Sequence, residues 1–283
     1  MLGWWRDFKQ ALSLLTIFPV SIRRWDGGTA PAGKMPLTRF FPSPGGQLYR
    51  LRSAADSVRF FPLVGILLGL FFALADYGLG RIFSPVLTAA LILALNALIT
   101  GGLHLDGFAD ACDGLLSRRN REQTLAIMRD TGIGALGAAA LFILLIVKLA
   151  VLIEIAEPLR LQALLLFPFM GRLSMAGAVC WFPYARTEAG MGRAYARADE
   201  HDLTFARRMG LMIVITTFLY FRATPREVIL ILTAIFISFC GSYFFAHRVA
   251  LKLGGLTGDV YGAINEVTEL LFLLVVAAGA QLV

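Results

Sequence analysis

The sequence predicts an all-α, polytopic integral membrane protein with about seven transmembrane helices, folded as a single domain over residues 1–283. Three observations carry that expectation. Hydrophobic residues make up 58% of the chain, charged residues only 16%, and the mean hydropathy is +0.72. A soluble domain is nearer half apolar and a quarter charged. Apolar runs of spanning length recur from residue 61 to the end, and basic residues concentrate in alternate connections between them.

The elements follow in order. Trp4 to Val20 is an amphipathic stretch whose paired tryptophans, Trp4 and Trp5, suit a membrane interface. Residues 26–57 are rich in Gly, Pro and Arg and read as a basic surface loop, so 1–60 forms an N-terminal segment ahead of a helical bundle at 61–283. Spans are expected at 61–80, 85–101, 133–154, 160–182, 209–222, 227–247 and 263–283, the fifth being short for a bilayer. No internal repeat is evident. The first apolar run, Ala11 to Val20, is short and lacks a small-residue cleavage site, so the first true span is expected to direct insertion. Cys112, Cys180 and Cys240 show no CxxC spacing and read as apolar fillers.

Basic residues set the orientation. The segments 1–60, 102–132, 184–208 and 247–259 hold 9, 4, 5 and 2 Lys or Arg, against only Arg81, Arg160, Arg222 and Arg226 in the opposite connections. The positive-inside rule then places the N-terminus in the cytoplasm and, with an odd number of spans, the C-terminus outside. The net charge of +7 is absorbed by topology and by anionic headgroups of the lipid bilayer. The charges are dispersed and no nucleic-acid module is present, so no nucleic-acid partner is expected.

Chemistry concentrates on the same side. Between Leu103 and Leu116 the chain reads LHLDGFADACDGLL, with Asp106, Asp110 and Asp113 spaced by four and three residues. On a helix these fall within roughly 60° of one face. Like charges clustered at a membrane are costly unless a cation or cationic substrate compensates them. Their hard oxygen ligands suit Mg²⁺ completed by substrate phosphate oxygens; Mn²⁺ would accept the same set. The alternative is a solvated acidic helix end. His104 lies about 160° from Asp106 if the helix has already begun there, or in a preceding turn that reaches the site; it is a proton carrier or a hydrogen-bonded structural histidine. Asp130, following Arg129, joins the site or is an exposed charge.

Glu266 and Glu269 share a face near the start of the last span, and Asp259 precedes them in GGLTGD. Glycines 254, 255, 258 and 262 allow tight turns that present N–H groups to an anion, with Gly258 beside Asp259. Arg186 and Arg193 bracket the Gly190–Met191–Gly192 turn and are phosphate clamps or ordinary positive-inside charges. Arg172 lies mid-span and is expected to face a polar interior and pair with an acid or a phosphate. Lys148 is expected to snorkel outward with a structural role.

Taken together, HLDGFADACDGL, IMRDTGIGALG, PYAR with GMG, and KLGGLTGDVYGAINEVTEL resemble the successive motifs of the cobalamin synthase family, and LLTIFPV (14–20) and FFPLVGILLG (60–69) are similar to its N-terminal landmarks. The resemblance implies a membrane transferase of cobalamin biosynthesis in the cell membrane, the inner membrane in a Gram-negative source. It would move adenosylcobinamide phosphate from adenosylcobinamide-GDP to alpha-ribazole or alpha-ribazole 5′-phosphate, releasing GMP with Mg²⁺ as cofactor. Asp106 and Asp110 would hold the metal, with Asp113 a further ligand or the general base and Glu266 and Glu269 completing the metal or substrate shell. Arg186 and the Gly258–Asp259 loop would steady phosphates. Two features depart from the family pattern. Thr131–Gly132 stands where a serine–arginine pair is usual, so one phosphate-facing arginine is missing or replaced by Arg129, and the 26–57 loop is longer. A homo-oligomer is compatible with this reading. The competing enzyme, a CDP-alcohol phosphotransferase, expects DxxDGxxAR and a second GxxxDxxxD, neither of which follows here. A cation-coupled transporter would place its acids near the bilayer midplane instead of on one side.

Overall fold

The computed structural model describes residues 2–18, 55–186 and 224–281, with Ala198, Leu203, Thr204, Ala206, Arg208, Gly210 and Leu211 between them. Most of the 26–57 loop and of the expected 209–222 span, and the Gly190–Gly192 turn with Arg193, lie outside these residues. The described residues form nine named helices, α1 (Leu2–Leu15), α2 (Phe61–Leu79), α3 (Pro85–Ile99), α4 (Leu103–Leu116), α5 (Arg121–Ile127), α6 (Ala135–Glu154), α7 (Leu159–Trp181), α8 (Pro225–Leu253) and α9 (Gly258–Ala280). The chain is all-α among the described residues, with one isolated parallel bridge between Tyr184 and Leu256.

Five helices are long and apolar enough to cross a membrane: the α2 region from Ala55, α6, α7, α8 and α9. The count becomes six if α3 and α4 form one broken span. This makes the protein multi-pass, with fewer described spans than the seven expected. Within 102–132, the three aspartates lie on a helix, as expected, and that helix is α4. Gly101 and Gly102 adopt φ of +62° and +69°, a left-handed backbone that suits glycine, and α4 leaves α3 at 89°. The acidic helix is thereby turned into the bundle.

Burial ranks the helices. In α7, 83% of the apolar window is buried, against 28% in α6 and α8. Therefore α7 is the central post and the other two present apolar faces outward, through Phe142, Ile143, Phe236 and Phe244. Helix ends are set by local chemistry. Ser84 caps α3 ahead of Pro85, and Thr224 forms a capping box with Glu227 at the start of α8. Thr257 accepts the Val260 N–H to open α9. The amphipathic α1 packs Ala11 and Leu15 inward and leaves Trp4 and Trp5 about half exposed. An ion pair from Arg59 to Asp7 (2.7 Å) fixes α1 beside α2.

The acidic helix α4 and the last helix α9 meet more closely than side chains would permit. A Cβ on Gly107 would stand 2.9 Å from the Asp259 carbonyl oxygen, and one on Gly262 would stand 3.1 Å from that of His104. Glycine at both points lets the two backbones touch, and this contact sets Asp106 and Asp110 beside the first turn of α9.

Candidate active site

The polar segments gather at one end of the bundle, where α3, α7 and α8 finish and α6 and α9 begin. Hydrogen bonds tie them together. Arg186 Nη2 donates to Asp259 Oδ2 at 2.9 Å and to the Met128 carbonyl at 3.4 Å, joining the PYAR segment, the RDTG segment and α9. Leu256 N donates to the Pro183 carbonyl and Ala185 N to the Leu256 carbonyl, both at 2.8 Å. Asp259 Oδ2 also accepts the Thr257 hydroxyl at 3.2 Å.

The three aspartates of α4 separate in role. Asp106 is exposed, Asp110 half-buried and Asp113 buried. Neither Asp106 nor Asp110 has a hydrogen bond or ion pair among the described residues. Asp110 lies within the electrostatic reach of Asp106, Asp259, Asp113 and Arg186, so these groups form one charged patch. Asp113 Oδ2 accepts the Gly134 N–H and its Oδ1 the Gly137 N–H, both at 2.7 Å, so both oxygens are bonded at the N-terminus of α6. A carboxylate placed there meets free N–H groups and the positive end of the helix dipole. In this arrangement Asp113 caps α6.

Glu266 and Glu269 are both buried, and Lys148 Nζ donates to Glu266 Oε2 at 2.6 Å and Glu269 Oε2 at 2.8 Å. Arg172 Nη1 donates to Glu269 Oε1, and Asn265 Nδ2 to Glu266 Oε1 and Glu269 Oε1 at 3.2 and 3.0 Å. Every oxygen of the two glutamates has a donor, and two cations balance two anions. The cluster sits about 10 Å or more along α9 from Asp259, at 1.5 Å per residue. It is a buried network of paired charges. Lys148 is 1% exposed and turns inward, where outward snorkelling was expected; an outward route would leave Glu266 with no cation. Arg172 meets an acid.

The remaining expected residues are spread around the patch. Gly258 opens α9 with no atom of the described residues within 4 Å of where a Cβ would stand. Asp130 is exposed, and its Oδ1 accepts the Gly132 N–H at 3.3 Å. Arg129 is exposed and close enough for its charge to act on Tyr184. His104 lies in the first turn of α4, 3% exposed. Its Nε2 has no partner among the described residues, and the charges of Arg172 and Lys148 reach it. It thus lies on the bundle-interior side of the acids.

A family model described as cobalamin-5-phosphate synthase matches residues 7–277. The chain belongs to that family. Similar curated proteins are named adenosylcobinamide-GDP ribazoletransferase. The one from Desulfitobacterium hafniense is 38% identical over 241 residues, covering 84% of this chain and 92% of the relative. Those from Desulforamulus reducens and Syntrophobacter fumaroxidans are each 34% identical, covering 98% and 95% of this chain and 98% and 97% of their own. No solved structure matches the chain.

Two residues beside the Arg186–Asp259 pair escaped the sequence reading. Burial pushes the Tyr184 hydroxyl above its usual range against the pull of Arg186, so at neutral pH it is an uncharged donor beside Arg186. Arg121 bonds the Leu253 and Ala185 carbonyls. The PYAR motif pointed at the first; nothing in the sequence singled out the second. Among the described residues, no group of three or more His, Cys, Asp or Glu is arranged to hold a metal ion. The chemistry still fits Mg²⁺, which binds through one or two carboxylates plus substrate phosphates. Asp106 and Asp110 are two such carboxylates, without a hydrogen bond or ion pair among the described residues; Asp106 is exposed and Asp110 half-buried.

Proposed function

We propose that this chain is an adenosylcobinamide-GDP ribazoletransferase whose active site is the Asp106–Asp110–Asp259–Arg186 patch. The observation that carries this reading is the pair of carboxylates on α4 that have no hydrogen-bond or ion-pair partner among the described residues, set beside the Arg186–Asp259 pair at the first turn of α9. The reaction joins the acceptor hydroxyl oxygen of alpha-ribazole, or of its 5′-phosphate, to the phosphorus that carries adenosylcobinamide. The bond from that phosphorus to the bridging oxygen breaks, and GMP leaves with the electron pair. The hydroxyl proton passes to a carboxylate with a free oxygen, Asp106 or Asp110.

Asp106 and Asp110 would hold Mg²⁺, which when bound neutralises the diphosphate and the leaving nucleotide. Arg186 is positioned to donate to a phosphate oxygen while Asp259 keeps its guanidinium oriented. The open space at Gly258 admits a phosphate to the N-terminal N–H groups of α9. Arg129 adds positive charge at the rim, and uncharged Tyr184 offers a hydroxyl. Asp113 and the Lys148 network hold α6, α7 and α9 in place and take no part in bond making.

The distribution of Lys and Arg supports placing this end in the cytoplasm, with the chain in the cell membrane, the inner membrane of a Gram-negative cell. Membranes carrying the protein, given adenosylcobinamide-GDP, alpha-ribazole and Mg²⁺, are expected to release GMP and form the completed corrinoid. Chelating the divalent ions should stop the release, and restoring Mg²⁺ should revive it. Absence of GMP release under these conditions, or CMP release from a CDP-alcohol in its place, would contradict the proposal.

A further inference from the structure

Arg121 begins the short helix α5, next to an Asn120 cap that accepts the Gln123 N–H at 2.9 Å. From there its guanidinium crosses to two other segments. Nε donates to the Leu253 carbonyl at 2.7 Å and Nη2 to the Ala185 carbonyl at 3.0 Å. Leu253 is the last residue of α8, and Gly254, with φ of +72°, turns the chain from it into the loop that delivers Asp259. Ala185 directly precedes Arg186. One side chain therefore grips the roots of both partners in the Arg186–Asp259 pair.

Physical chemistry favours arginine here. The planar fork presents N–H groups in fixed directions, which a lysine ammonium on a flexible stem does not reproduce. The Leu253 carbonyl is an orphan acceptor at the negative end of the α8 dipole, where a cation is stabilising. Two of the donor groups are committed to backbone carbonyls, so the arrangement fits a clamp better than a substrate contact.

We propose that Arg121 is a positioning residue for the transfer: it clamps the segment carrying Arg186 to the loop carrying Asp259 and so sets the phosphate-binding end of the site. The catalytic part of this statement rests on the proposed function; the clamp itself does not. The test compares Arg121→Lys and Arg121→Ala with wild type in membranes, reading amide hydrogen exchange and turnover together. The Ala185 and Leu256 amides should exchange faster in both variants, while amides within α2 and α7 keep wild-type rates. The kcat/KM for adenosylcobinamide-GDP should fall about tenfold or more, as expected when a binding group loses its position. The loss should fall on KM more than on kcat, and added guanidinium should restore part of it in Arg121→Ala. Unchanged exchange at Ala185 and Leu256, or faster exchange with unchanged kcat/KM, would overturn the proposal. If wild type itself releases no GMP, the proposed function fails separately, and the exchange comparison alone decides the clamp.

Discussion

Asp113 bonds both carboxylate oxygens to the Gly134 and Gly137 N–H groups, whereas Asp110, one turn earlier on α4, bonds neither among the described residues. The two are chemically identical and differ only in what the fold sets in front of them. Hydrogen bonds to a charged group contribute about 1.5–3 kcal/mol each, and an orphaned buried donor adds a penalty. Asp113→Ala, which loses two such bonds, should therefore destabilise the protein by about 3–6 kcal/mol on that scale. Thermal unfolding of the detergent-solubilised protein checks this, and Asp113→Asn should lie between the variant and wild type. An unchanged melting temperature in Asp113→Ala would remove the capping role. At this scale the sequence was legible as far as spacing goes. Intervals of four and three place the acids on one side of a helix, but the partners of Asp113 lie 21 and 24 residues away, beyond any periodicity.

At the scale of elements, α6, α7 and α9 are locked by a network that only the fold reveals. Lys148 was legible as a charge inside an apolar helix, but the sequence does not say which face of α6 turns inward. Its partners lie 118 and 121 residues further on. Removing one member of a buried ion pair leaves a bare charge, at a cost of about 3–5 kcal/mol. Lys148→Met should accordingly lower the melting temperature sharply. Lys148→Met with Glu266→Gln should recover part of that loss, since Glu269 keeps Arg172 and the one acid left without a cation is then neutral. A double variant less stable than the single one would refute the network as described. The glycines at 107 and 262 were legible as small residues in polar motifs. Their function, letting α4 and α9 touch, needs both helices in place.

Among the described residues, Asp106, Asp110 and the Arg186–Asp259 pair lie together at one end of an apolar bundle. Long apolar helices made the multi-pass class legible, because spanning about 30 Å of hydrocarbon takes roughly 20 residues of helix. The bend at Gly101–Gly102 was not legible in those terms. It depends on two residues with left-handed backbone, and it lays the expected aspartate-bearing helix against α9. That bend sets Asp106 and Asp110 on the rim while the capping aspartate and the paired glutamates lie inside. The account thus divides five acids of the family motifs into two that face substrate and three that hold the structure. GMP release from adenosylcobinamide-GDP, measured in membranes at matched protein levels for Asp106→Asn, Asp110→Asn and wild type, tests this most directly. The account predicts turnover lost by a factor of about 100 or more in both variants, the range for removing charge stabilisation of a transition state, with wild-type melting temperatures. Wild-type turnover in either variant would contradict it.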